Sequence, residues 1–219
     1  MKTSIRPEIW QRAQRGHLQT WVDYARDGMA RAGTRAAAWR AILDAAAREA
    51  PFRPGERILD IGCGLDTVLD FIPDARGFTL DSLAAALIPL GLSPAARHTA
   101  GVFEAMPFAS GAFDRVFLMN VLDHVRDPAA GLGEIARVLA PEGVLVLSVD
   151  TYAGGRHFAK RLHKWWARLR GARTKHPWAF SAANVRDLLR RAGFAPGAPS
   201  HVAGTKARRT LFIARKNAH

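Results

Sequence analysis

Cysteine is nearly absent from this sequence. Cys63 stands alone among 219 residues, so no internal disulfide can form. That fits a reducing compartment. No apolar run approaches the roughly 18 residues that a membrane-spanning helix requires. The N-terminal stretch MKTSIRPEIWQRAQRGH lacks the apolar core of a secretion signal. A soluble, cytoplasmic protein is the expectation. Acidic residues are also scarce. Nineteen Asp and Glu face 32 Lys and Arg, a net charge of +13. Such a balance suggests nucleic acid, an anionic membrane surface or an acidic substrate as partner, against the plainer reading of a solvated basic surface. There is no internal repeat and no low-complexity tract. With 48% hydrophobic residues the chain is not disordered, and its length suits one α/β domain with decorations.

What is there alternates. In the N-terminal third, Trp10, Gln14, His17 and Trp21 recur at helical spacing. TRAAAWRAILDAAAREA is a strong helix with Trp39, Ile42, Leu43 and Ala46 on one face, and PFRPG ends it. Apolar runs of strand length follow at Ile58–Ile61, Gly77–Leu80, Arg115–Met119 and Val144–Val149. Runs apolar on both sides of the pleat suit the buried strands of a parallel sheet. Helical stretches lie between them at Ser82–Leu90 and Pro128–Leu139, and SAANVRDLLRRAG is a later helix. Arg209–Ala214 reads as an edge or antiparallel strand. The pattern is that of an α/β protein with a doubly wound, Rossmann-like, mostly parallel sheet. Ligands of such sheets bind beyond the carboxyl ends of the strands.

One such end carries ILDIGCGLDT. Gly62 and Gly64 flank Cys63 directly after a strand, where glycine admits positive φ and lets a ligand come close. The dinucleotide fingerprint would need glycine at position 67, where Thr67 stands, and no GK[ST] follows for a phosphate loop. Asp81 ends the second strand about twenty residues past the loop. It is placed to accept from both hydroxyls of a ribose, or merely to cap the helix beginning at Ser82. Asp60 could pair with a ligand ammonium or orient the loop. Asp66 enters the next helix and is a candidate for its N-cap.

The later block EAMPFASGAFDRVFLMNVLDHVRDPAAGLGEIARVLAPEGVLVLSVDTY completes a resemblance. The stretch Arg57–Thr151 resembles a class I S-adenosylmethionine-dependent methyltransferase of the small-molecule, type 11-like branch. The matching motifs are Asp60-Ile61-Gly62-Cys63-Gly64, Asp81, Met106-Pro107-Phe108 with Phe113-Asp114, Asn120 to Val125, and Glu134 to Gly143. Three departures stand out: Asp66 in place of a third glycine, Thr79 where the second-strand acid is usual, and Val102 where an adenine-contacting acid is common. The resemblance implies S-adenosyl-L-methionine as cofactor. Asp60, Gly62, Cys63 and Gly64 would face its methionine part, Asp81 and Ser82 its ribose, and Glu104, Ala105 and Met106 its adenine. Asn120 would border the site of methyl transfer. It further implies an N-terminal helical cap over 1–50, a methyltransferase domain over 51–219 and a basic helical insert over 154–178.

In-line transfer to an oxygen or nitrogen needs alignment and, for a weak nucleophile, a base. The candidate bases are His124, His157, His163 and His176, with Asp123 either orienting His124 or facing water. NVLDH is not the [ND]PP[YF] set of amine-directed nucleic-acid methylases. No metal set is expected, because the spacing of a zinc site is missing. The acceptor class is a small molecule, a glycan or a lipid-linked molecule. The competing class is a non-catalytic or RNA-directed protein of the same fold, binding RNA or an anionic membrane. The insert GGRHFAKRLHKWWARLRGARTKHPW keeps three readings open. Phe158, Leu162, Trp165 and Leu169 form an apolar stripe that packs on the domain as a lid, lies on an anionic membrane, or joins an RNA groove in which Trp165 or Trp166 stacks on bases.

Overall fold

The computed structural model describes residues 4–26, 32–92, 98–169, 176–201 and 209–218. Helices α1 (Pro7–Arg26) and α2 (Ala32–Glu49) come first, then β1 (Arg57–Ile61), β2 (Arg76–Asp81), α3 (Ala84–Leu87), β3 (His98–Ala100), β4 (Phe113–Met119), α4 (Pro128–Val138) and β5 (Leu139–Asp150). The chain continues through α5 (Gly154–Leu169), α6 (Ala182–Arg191), β6 (Phe194–Pro196), β7 (Ser200–His201) and β8 (Arg209–Lys216). They form one sheet in the order β3-β2-β1-β4-β5-β8-β6, with β7 also paired to β8. Neighbours from β3 to β5 are parallel, and β8 runs antiparallel to β5, β6 and β7. This is the doubly wound, mostly parallel sheet that the alternation implied, with its antiparallel C-terminal strand.

Period-two burial shows why. Leu59, Val116, Leu118, Leu145 and Leu147 face one core with Leu132 and Ile135 of α4 and Val185 and Leu189 of α6. Ile58, Phe117, Val144 and Val146 face the other with Ile42 and Ala46 of α2. A strand whose successive side chains enter two dry cores must be apolar throughout, as these are. Between α2 and the sheet, Arg115 is buried. Its guanidinium donates to Glu56 and to the carbonyls of Ala50 and Pro51 and lies 4.1 Å from the centre of the Phe52 ring.

Four local readings change. Ser82–Leu90 is not one helix: α3 gives way to a 3-10 turn, Ile88–Leu90, at Pro89, which lacks the N–H to continue it. β3 carries only His98, Thr99 and Ala100, too short and too polar to register as an apolar run. Strand β8 is antiparallel but not an edge, since β6 and β7 cover its far side. The cap after the glycine loop is Thr67 rather than Asp66; its Oγ1 accepts from the Leu69 N–H at 3.2 Å, and the element it starts is a 3-10 turn, Val68–Phe71.

Candidate active site

The carboxyl ends of β1, β2 and β4 open into one cavity of about 700 Å³. That lies within the roughly 300–1,000 Å³ of small-molecule sites. Its floor is the loop after β1. Gly62 and Gly64 have φ of 71° and 60°, the left-handed region. A Cβ on Gly62 would sit 2.4 Å from Val121 Cγ2, and one on Gly64 would sit 2.5 Å from Trp21 Cζ2. Neither position can carry a side chain without displacing a wall of the cavity.

Two aspartates hold that loop. Asp60 is buried on the α2 side of β1, and its Oδ2 accepts from the Thr67 hydroxyl (2.8 Å) and the Val68 N–H (3.0 Å). Burial pushes its pKa up to about 7 despite those two donors, and the charge of Asp81 adds to the rise. Asp81 accepts from the Gly64 N–H at 2.9 Å through Oδ2 and from the Leu83 N–H at 2.7 Å through Oδ1. It therefore caps the turn after β2 and also ties β2 to the glycine loop. Ser82 donates to Gln14 Oε1 of α1 at 3.1 Å. Asp60, Gly62, Cys63, Asp81 and Ser82 all line the cavity.

The third group is divided. Glu104 lines the cavity, but its Oε1 accepts from the N–H groups of Arg126 (2.7 Å) and Asp127 (2.9 Å) and fastens the loop before α4. Ala105 and Met106 are not part of the lining; Phe103 and Gly101 are. Met106 is buried in the core, its N–H donating to Glu134 and its carbonyl accepting from Arg137. Asn120 ends β4 with φ of 61°, a left-handed conformation that asparagine tolerates better than most residues, and its N–H donates to the Ser148 carbonyl at 2.8 Å.

Opposite the loop, folding gathers side chains that are distant in sequence. His176 Nδ1 lies 2.7 Å from Asp123 Oδ2, and His124 Nε2 lies 3.5 Å from Asp123 Oδ1. The other ring nitrogen of His124, Nδ1, is 2.9 Å from His17 Nε2 of α1. Asp123 is 6% exposed, and its Oδ1 has no hydrogen-bond partner among the described residues. Burial alone would raise the Asp123 pKa; the hydrogen bond to His176 and the nearby His124, His176 and Lys164 hold it below the ordinary carboxylate range. All three histidines line the cavity. Of the other candidate bases, His163 is exposed on α5 and absent from the lining, and the His157 side chain lies outside the described residues.

Two features escaped the sequence. Asp123 orients a histidine 53 positions away as well as its neighbour. His17 belongs to the same cluster, though its membership of the stripe Trp10, Gln14, His17, Trp21 was legible, and all four of those residues line the cavity. The three-dimensional arrangement adds one grouping to the expectation of no metal set. Read along the chain no ligand spacing exists, yet Asp123, His124 and His176 bring ligand atoms within 4.8 Å of one another, a group that could hold a cation.

Comparison with known proteins agrees with this geometry. The model of a family described as a methyltransferase domain matches residues 31–196. A demethylmenaquinone methyltransferase of Beutenbergia cavernae is 35% identical over 112 residues, covering 50% of this chain and 45% of the relative. A ubiquinone biosynthesis O-methyltransferase of Dinoroseobacter shibae is 32% identical over 164 residues, covering 67% and 62%. The chain spans between 30% and 65% of the length of the curated relatives it matches first. Among solved structures, a Burkholderia thailandensis 1,6-didemethyltoxoflavin-N1-methyltransferase, with 1,6-didemethyltoxoflavin and S-adenosylhomocysteine bound, superposes with a TM-score of 0.68 at 19% identity. That superposition covers 97% of this chain and 91% of that one.

Proposed function

Because the chain belongs to the methyltransferase-domain family of class I enzymes, whose cofactor is S-adenosyl-L-methionine, we propose that it methylates an oxygen or nitrogen of a small-molecule acceptor in this cavity. One observation carries the reading: a single cavity joins the glycine loop to the Asp123–His124–His176 cluster. The chain's residues fit the cofactor. Gly62 lines the cavity as bare backbone, Gly64 just beyond Cys63 is packed against Trp21 and lies outside the lining, and Asp60, Asp81 and Ser82 stand beside them. Asp60 would meet the ammonium, Asp81 and Ser82 the ribose, and Glu104 and Phe103 the adenine end. When bound, the cofactor supplies an electrophilic methyl group on a sulfonium.

The rest is the work of the chain. Trp10, Trp21, Tyr24, Trp39 and Phe103 give the cavity aromatic walls, which favour a flat, largely apolar acceptor. The relatives named for quinone substrates support an acceptor of that kind. Asp123 takes the Nδ1 proton of His176 as its hydrogen-bond donor and leaves Nε2 to accept a proton from the acceptor hydroxyl. His124 and Asn120 border the same space and position the nucleophile.

Calorimetric titration with S-adenosylmethionine and S-adenosylhomocysteine tests the cofactor half. Micromolar binding of both is expected, with loss in Asp81→Ala; no binding by the folded wild type would overturn the reading. His176→Gln should lower kcat by about 10²–10⁴-fold while leaving cofactor affinity unchanged. A second reading of the cluster rests on its three ligand atoms within 4.8 Å, which would let a divalent cation orient the acceptor oxygen. Activity lost to a chelator and restored by the metal favours that reading; activity indifferent to a chelator favours the base.

A further inference from the structure

Helix α5 is turned the wrong way for a helix that packs on a domain. Between Gly154 and Leu169 it holds Arg156, Lys160, Arg161, Lys164 and Arg168 and no acidic residue. At about 100° per residue, Phe158, Leu162 and Trp166 fall within about 80° of one another, and Lys164 falls about 200° round from Leu162. A helix on a domain surface sends its apolar stripe to the core. Here Phe158 is 70% exposed, Leu162 45% and Trp166 49%. The contact with the body lies on the other side: the Lys164 ammonium donates to the carbonyl of Trp178, whose indole N–H donates to the Val125 carbonyl at 2.7 Å. The lid packing expected of the stripe is therefore not what Phe158 and Leu162 do. The side chains of Trp165 and Leu169 lie outside the described residues.

We propose that this outward face docks on an anionic membrane surface and presents the cavity to it. Outward Phe and Leu side chains gain by leaving water for the boundary between headgroups and acyl chains. Arg156 and Lys160 are exposed on the flank of the helix, about 160° from Phe158, so they and the net charge of +13 act as a positive field that draws anionic headgroups rather than as direct contacts of that face. RNA fits less well: Phe158 and Trp166 could stack on bases, but the aliphatic Leu162 between them offers no stacking surface, and Lys164 is engaged by the Trp178 carbonyl. The proposal rests on the methyl-transfer reading and deepens it: the acceptor is an amphiphile held at the bilayer. Through Lys164 the helix is fastened to Trp178, two residues from His176 of the cavity wall.

The test is flotation of the full chain with vesicles of equal phosphatidylglycerol and phosphatidylcholine, with vesicles of phosphatidylcholine alone, and with phosphatidylglycerol vesicles at high salt. Expected are binding to the anionic vesicles, loss on neutral ones, and a fall of tenfold or more in partitioning at high salt. The double variant Phe158→Ser/Leu162→Ser changes only exposed side chains and should partition at least about tenfold more weakly. Wild-type protein that ignores anionic vesicles would overturn the proposal, as would a double variant that binds them like wild type. So would a wild-type dimer that the double variant converts to monomer in the absence of vesicle binding, or salt-sensitive binding to polyuridylate without any to vesicles. Titration of the same samples with S-adenosylhomocysteine separates the two ideas. Cofactor binding without vesicle binding sinks the membrane face alone; vesicle binding without cofactor binding sinks the methyltransferase reading.

Discussion

Asp60→Asn puts the buried carboxylate at the foot of the glycine loop to a quantitative test. Asp60 is 1% exposed, and burial moves its pKa from 3.8 to about 7. Between those values the folded protein keeps a proton that the unfolded chain has released. The stability this group contributes is complete below about pH 3.8 and is lost as pH rises through 7. The full loss is about 4 kcal/mol, of which about 2.5 kcal/mol falls between pH 5 and pH 8. Asparagine is nearly isosteric, and its oxygen can still accept from the Thr67 hydroxyl and the Val68 N–H. Urea unfolding of both proteins at pH 5 and pH 8 should therefore show the variant gaining on wild type by about 2.5 kcal/mol across the interval. A gap that does not change with pH would refute the reasoning, because it would mean the carboxylate is already solvated by relaxation of the loop. The same group tests cofactor placement. If Asp60 meets an ammonium, cofactor binding at pH 6 should release a proton from wild type and none from Asp60→Asn. Calorimetry in two buffers of different ionisation enthalpy would detect the difference.

Other substitutions probe the walls of the site. Gly62→Val would force a branched side chain into φ of 71° and onto Val121; it should abolish S-adenosylhomocysteine binding in calorimetry while circular dichroism still reports a folded protein. Gly131→Ala should raise helix propensity in α4 by up to about 1 kcal/mol, yet its Cβ would lie 1.8 Å from the Phe103 ring. A net loss of about 1–3 kcal/mol is expected in thermal unfolding, together with weaker cofactor binding as Phe103 shifts. Glu104→Ala removes the acceptor for the Arg126 and Asp127 N–H groups and should cost about 1–2 kcal/mol in urea unfolding. Its effect should appear in stability first and in cofactor affinity second.

Much of the site was legible in the sequence because parallel α/β sheets place function at strand ends. The runs ending at Ile61, Leu80 and Met119 place the glycine loop, Asp81 and Asn120 at strand ends. Elsewhere the local signals are short or ambiguous. β3 has three residues and no apolar run. Asp66 and Thr67 are neighbours of equal capping character, and only the backbone decides that Thr67 accepts the Leu69 N–H. Met106 shares a motif with Glu104, yet it points into the core while Glu104 faces the cavity.

By itself, the order of residues determined the layered α/β fold and the cofactor end of the site. Both depend on local rules: apolar runs of strand length, glycines that must follow a strand, an acid at the next strand's end. The acceptor end was decided only in three dimensions. His17, Asp123, His124 and His176 come from α1, the segment after β4 and the segment before α6, and no spacing along the chain links His17 or His176 to the adjacent pair Asp123–His124. Helix α5 makes the same point. Its amphipathicity is written in its sequence, but which face meets the protein depends on what the rest of the chain offers. Here that is a carbonyl on Trp178 for Lys164, and Phe158, Leu162 and Trp166 are left to the outside.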